Sequence, residues 1–194
     1  KHIENIKKYH LGYVIAINRF ASDAESEIAC LRSWAEEHNH PIALSTVHSE
    51  GGAGGKILAE KVLEVIEHDE NQFQFLYQTE ASIKEKITTI CKEIYGAARV
   101  EFSQTAKNQM VSLKKNGWDT LPICMAKTQY SLSDDPKLLG RPEGFTVTIR
   151  ELRPSIGAGF IVALCGDILT MPGLPKKPAA ENMDVVDGKA KGLF

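Results

Sequence analysis

Apolar positions first cluster at Tyr13-Val14-Ile15-Ala16-Ile17, a run that breaks abruptly into Asn18-Arg19-Phe20 and then Ala21-Ser22-Asp23. A short unbroken apolar run followed by a helix start is the pattern of a strand buried on both faces in a parallel sheet. Ile28, Leu31, Trp34 and Ala35 then recur every three or four residues, the spacing of one helix face. Asp23 is placed to cap that helix, and Asp23, Glu25 and Glu27 suit the positive end of its dipole. His38-Asn39-His40-Pro41 stops it, and Ile42-Ala43-Leu44-Ser45-Thr46-Val47 reads as a second buried strand. Residues 10 to 47 thus predict one β-α-β unit, whose right-handed crossover brings both strand ends to the same edge of the sheet. By the strand period of two, Leu44, Thr46 and His48 share one side, and His48 emerges beside Phe20 if the strands are neighbours.

A helix through Ile57, Leu58, Val62, Leu63 and Ile66 follows, and the polar His68-Asp69-Glu70-Asn71-Gln72 marks a soft boundary. The next helix starts near Ser82, carries Ile83, Ile87, Ile90, Cys91 and Ile94 on one face and stops at Gly96. Val100-Glu101-Phe102 is extended, and Ser103 caps a helix ending near Asn116-Gly117. Strands are predicted at Leu121 to Ala126, Phe145 to Leu152 and Gly159 to Cys165. Asp135, Pro136 and Gly140 predict one short helical turn. The proline-rich Met171 to Pro178 predicts an ordered loop, and Asp187-Gly188 a hairpin between Val185 and Ala190. The predicted fold class is therefore α/β. A β-α-β-α layered domain with a mainly parallel sheet covers about residues 1–75, and a smaller α+β domain with a mixed sheet covers about 80–194.

Ligands of open α/β sheets sit beyond the carboxyl ends of the strands, so Phe20 is a candidate ligand contact; the alternative is a loop Phe folded back on the core. Gly51-Gly52-Ala53-Gly54-Gly55-Lys56 looks at first like a phosphate-gripping loop. The Walker pattern fails here on two counts: Glu50 holds the first glycine's place, and Ile57 follows the lysine where a Ser or Thr hydroxyl is needed. Gly51, Gly52, Gly54 and Gly55 still allow two readings, anion contact through backbone N–H groups or a turn needing positive φ and close packing.

The 194 residues, 43% hydrophobic and 25% charged with a net charge of −2, describe an ordinary globular chain without a nucleic-acid surface. The longest apolar run, Phe160 to Cys165, is too short to span a membrane. No charged-then-apolar leader is visible, which predicts a cytoplasmic protein. Cys30, Cys91, Cys124 and Cys165 are far apart among apolar neighbours, so reduced, buried thiols are expected rather than a metal site or disulfides. Asp134-Asp135 offers two carboxylates, more in keeping with a cap than a cation site. Lys1-His2-Ile3-Glu4-Asn5-Ile6-Lys7-Lys8 has helical spacing without an initiator methionine, and the chain reads as a piece of something longer.

Several stretches resemble the formate–tetrahydrofolate ligase family. They are His2-Ile3-Glu4-Asn5, Val14 to Phe20, Cys124 to Pro136, Met171 to Pro175, Pro178-Ala179-Ala180-Glu181-Asn182 and Gly192-Leu193-Phe194. The resemblance covers the whole chain and matches the carboxyl-terminal third or so of that enzyme. It implies an ATP- and magnesium-dependent joining of formate to tetrahydrofolate through formyl phosphate, giving 10-formyltetrahydrofolate. It also implies a homotetramer, and a phosphate-binding loop in an amino-terminal nucleotide-binding domain that this chain lacks. On that reading the chain has no catalytic residue of its own, is inactive alone and supplies one wall of the folate pocket. The family stacks the pterin between a Phe after Asn-Arg, matched by Phe20, and a Trp before the glycine loop, where this sequence has His48. Leu44 matches an apolar pocket residue, whereas Glu50 and Ala53 stand where lysine and glutamate are usual. An imidazole stacks over less area than an indole and can carry charge, so the departure at His48 bears on folate affinity. A non-catalytic binding or assembly module on the same scaffold is the alternative.

Overall fold

Strands β1 (Ile15–Asn18) and β2 (Ile42–Ser45) run parallel, with Ile15 opposite Ile42 and Asn18 opposite Ser45. Helix α2 (Glu25–Glu37) crosses between them, so the β-α-β unit forms as the periodicity predicts. The computed structural model describes residues 1–68, 70, 72–166 and 177–192. Before this unit, α1 (His2–Lys7) occupies the predicted first helix. After it come the short helix α3 (Val47–Glu50), a tight 3-10 turn over Gly51–Gly55 and helix α4 (Lys56–His68).

The expectation of a strand buried on both faces does not hold for β1. Ile17 is buried, but Ala16 and Asn18 are exposed, because β2 is the only strand that pairs with β1 among the described residues. The α2 cap also differs. Its N-cap is Ala24, whose N–H donates to the Glu27 carboxylate at 3.1 Å, while Asp23 accepts a hydrogen bond from the N–H of Phe20. Ile28 and Ala35 fill the interface with the sheet, whereas Leu31 and Trp34 lie on an exposed flank. There the Trp34 ring stacks on His38, centroids 4.8 Å apart.

The larger core lies in a second, mixed sheet of order β3-β5-β6-β4, built from Arg99–Phe102, Thr146–Ser155, Phe160–Cys165 and Ile123–Ala126. β3 pairs parallel with β5, β5 antiparallel with β6, and β6 parallel with β4. Helices α5 (Ile83–Thr89) and α6 (Gln104–Lys115) cover it, and Ile83, Ile87, Cys91, Ala106, Leu113, Val147, Ile149, Leu152 and Ile161 form one buried cluster. The Ser82 hydroxyl accepts from the N–H of Glu85 at the helix start expected there, and the Ser103 hydroxyl from that of Ala106, the cap expected from sequence. The α5 pattern runs to Ile94 as expected, but its last stretch, Ile90–Tyr95, widens into a π-turn. Gly96 closes it at φ 84°, with Ala97 N–H donating to Cys91 O.

Residues 132–138 form bends and a turn, not the short helix predicted there. Local side-chain bonds take the place of a helical ladder: Lys137 N–H donates to the Asp135 carboxylate and Asp135 N–H to the Ser133 hydroxyl. The predicted hairpin forms from β7 (Asp184–Val186) and β8 (Lys189–Lys191), with Asp187 and Gly188 both at positive φ. The Met171–Pro175 motif lies outside the described residues. Cys91 and Cys165 are buried as expected, but Cys30 and Cys124 are exposed. Cys30 lines an open groove between α2 and β1, beside Ile17 and Leu31, and Cys124 is on the outward side of the edge strand β4.

Candidate functional site

Phe20 follows directly on the β1–β2 ladder, whose last bond joins Arg19 N–H to Ser45 O at 3.0 Å. A reciprocal pair holds its backbone: Phe20 N–H donates to Asp23 Oδ2 at 2.8 Å, and Asp23 N–H donates to Phe20 O at 3.1 Å. Arg19 turns away to pair with Glu25 at the α2 start. The Phe20 ring is 43% exposed, so it is not folded into the core.

His48 reaches the same edge by a different route from the one expected. β2 ends at Ser45, and Thr46 starts the single turn α3, so His48 lies on a helical turn rather than on a strand face. Glu50 N–H bonds to Thr46 O at 2.9 Å and the Thr46 hydroxyl to Glu50 Oε2 at 2.8 Å, which fixes that turn. The outcome is still the predicted meeting: the Phe20 and His48 rings are 5.0 Å apart, their planes inclined by 55°. Among the described residues no hydrogen bond holds the His48 imidazole.

Leu44 does not join this pair. It lines a separate groove of ≈ 430 Å³ with Arg32, Thr46, Glu50, Gly54 and Ile57, which neither aromatic ring lines. The glycine run has a packing role at Gly54. A Cβ there would sit 2.6 Å from the backbone carbon of Thr46, and Gly54 O accepts the Thr46 N–H at 3.1 Å. Gly51 adopts φ 60°, which favours glycine, and Gly55 packs on Val47. Gly52 faces open space. Gly51 N–H is spent on Val47 O and Lys56 N–H on Ala53 O, so these two donors are already committed within the turn. The residues present therefore fit a packed turn better than a nucleotide triphosphate cradle.

Two features were not legible as sites in the sequence. Lys86, fully buried, donates to Asp119 O at 2.8 Å and Leu121 O at 3.1 Å, and burial lowers its pKa. Lys127 lies 4.9 Å from the Tyr95 ring centroid and donates to Thr128 O and Ser131 O. Burial likewise lowers the Lys127 pKa. Ser131 and Ser133 are buried and bonded to each other, and Asp134 accepts from Thr148 N–H at 2.8 Å. The Lys127–Pro136 motif is thus a self-bonded loop, pinned to β5 by Asp134 and turned locally by Asp135. Among the described residues no group of three His, Cys, Asp or Glu side chains is placed to hold a metal ion, and no helix is long and apolar enough to cross a membrane.

The fold and this edge define an α/β protein with two aromatic rings converging where parallel strands end, the place where such sheets take ligands. The chain belongs to the formate–tetrahydrofolate ligase family, whose model matches residues 1–194. It is similar to the formate–tetrahydrofolate ligases of Bacillus pumilus, 53% identical, and Bacillus licheniformis, 55% identical, each over all of this chain. The chain spans 35% of the length of these relatives.

Proposed function

We propose that this chain is the folate-side portion of an ATP- and magnesium-dependent formate–tetrahydrofolate ligase, with Phe20 and His48 contributing to the pterin site. The observation that carries this reading is the Phe20–His48 ring pair at the ends of β1 and β2, in a chain of this family. Phosphoryl transfer is assigned to an amino-terminal nucleotide-binding domain, in keeping with the packed character of the Gly51–Gly55 turn. The chain alone is then inactive as a ligase, and the whole enzyme works in the cytoplasm. Division at about residues 75–80 into a folate-side domain and a carboxyl-terminal domain is part of the same reading. Calorimetric titration of tetrahydrofolate into the chain and its Phe20→Ala variant tests the pocket. Equal affinities for the two would overturn it.

A second reading, an assembly surface consistent with a tetramer, is favoured by α4. Its apolar Val62, Leu63 and Ile66 share one side of the helix and are 38%, 58% and 65% exposed, a face that globular chains normally cover. Light scattering discriminates: a strictly monomeric chain at all concentrations counts against assembly through this face.

A further inference from the structure

We infer that the aromatic slot is closed by its own walls in the free chain, and that His48 rotates aside to admit a flat ligand. This inference rests on the folate-side reading above. A flat ring held between two others needs parallel outer rings about 7 Å apart, twice the ~3.5 Å contact distance of carbon atoms. The Phe20 and His48 centroids are 5.0 Å apart and the planes are inclined by 55°. No ring fits between them as they stand, so one wall must leave.

The backbone does not supply that movement. Phe20 is held by its reciprocal bonds with Asp23 and by the end of the β1–β2 ladder. On the other side, Thr46 N–H is bonded to Gly54 O at 3.1 Å and Glu50 N–H to Thr46 O at 2.9 Å. Gly54 lies so close to Thr46 that not even a methyl group fits between them. Opening is therefore a side-chain rotation. Two observations assign it to His48. Its imidazole has no hydrogen bond to break among the described residues, and its neighbours Val47, Ser49 and Glu50 are all exposed, leaving room to turn. Turning a polar imidazole into water also costs less than turning out the phenyl ring of Phe20. Phe20 is the fixed wall, and the incoming ring competes with His48 for its face. Such rotations in exposed side chains are fast, so the closed pair lowers the fraction of open slots without becoming a slow step.

The test uses tetrahydrofolate with the chain, its Phe20→Ala and His48→Ala variants, and His48→Gln as a second non-aromatic replacement. Contact between the Phe20 and His48 ring protons is followed by NMR before and after ligand addition. Both His48 variants should associate with tetrahydrofolate about twofold to tenfold faster, the factor that corresponds to losing one aromatic pair. The ring contact should be present in the free chain and vanish on saturation. A contact that persists at saturation, or an unchanged association rate in both His48 variants, overturns the movable wall. If Phe20→Ala still weakens binding in that case, the folate-side reading stands without it. If no variant alters binding, or the chain shows no response to tetrahydrofolate, both fail together.

Discussion

The Phe20 and His48 rings meet at 5.0 Å because Asn18 and Ser45 are register partners in a parallel pair, so both strands deliver their next residues to one edge. Twenty-seven positions of sequence separate the two strands at each register pair, and α2 spans that interval in one crossover. The pairing of the two rings is thus a product of strand register.

Replacing Phe20 by Ala should weaken tetrahydrofolate binding about tenfold or more. Stacking of a ring on an aromatic is worth about 1–3 kcal/mol, by analogy with base stacking on aromatic side chains. Phe20→Tyr keeps the ring and should bind within about threefold of the parent on the same scale. Calorimetric titration measures both.

Gly54→Ala should destabilise the α3 turn, since the new methyl group would meet the Thr46 backbone at 2.6 Å. Overpacking of this kind costs about 1–3 kcal/mol. Gly52→Ala, with nothing within 4 Å, is the control and should change little. Urea midpoints report the stability, and His48 ring-proton shifts report the turn. A Gly54→Ala chain with a native midpoint would refute the packing role of this glycine.

Lys86→Met should destabilise the second sheet's core by about 1–3 kcal/mol, because the buried carbonyls of Asp119 and Leu121 lose their donor. Lys84→Met, on the exposed side of the same helix, should be near neutral. The comparison is again of urea midpoints at neutral pH.

The cysteines should separate into two classes. Cys30 and Cys124 are exposed and should react promptly with a thiol reagent, while Cys91 and Cys165 should react only as the chain opens. Burial, the largest cause in each case, pushes both buried thiols from an ordinary value of 9.0 up to about 12. A thiol with a raised folded pKa favours the folded state fully below its unfolded pKa, and that advantage is lost as pH rises through the folded value. Stability should therefore decline between about pH 9 and pH 12, by at most about 1.4 kcal/mol per thiol per pH unit. Denaturant titrations across that range check the slope, and a flat profile would contradict it.

How much of this was legible in the sequence depended on how local the causes were. Ser82 and Ser103 announced their helices because a hydroxyl caps an N–H only three residues away. Asp187-Gly188 announced its hairpin because positive φ at two consecutive positions suits those residues. The apolar runs at residues 15–18 and 42–45 established the β-α-β unit, and the parallel pairing of its strands brought Phe20 and His48 to one edge. The family was legible too, in motifs spread along the whole chain.

Position in space decided the rest. Asp23 was free to cap α2 or to hold Phe20, and both uses satisfy a backbone N–H within three residues, so only the packed loop selects one. Leu44 shares the apolar character of a pocket residue, but its side of β2 faces another groove. Cys30 and Cys124 have apolar neighbours in sequence, yet lie in an open groove beside α2 and on an edge strand. Lys86 has the sequence signature of a surface cation and is buried, because two carbonyls more than thirty residues away converge on its ammonium group. Periodicity and caps are properties of neighbouring residues and can be read in order. Which face is covered, and which distant carbonyl meets which side chain, exist only once the chain has closed on itself.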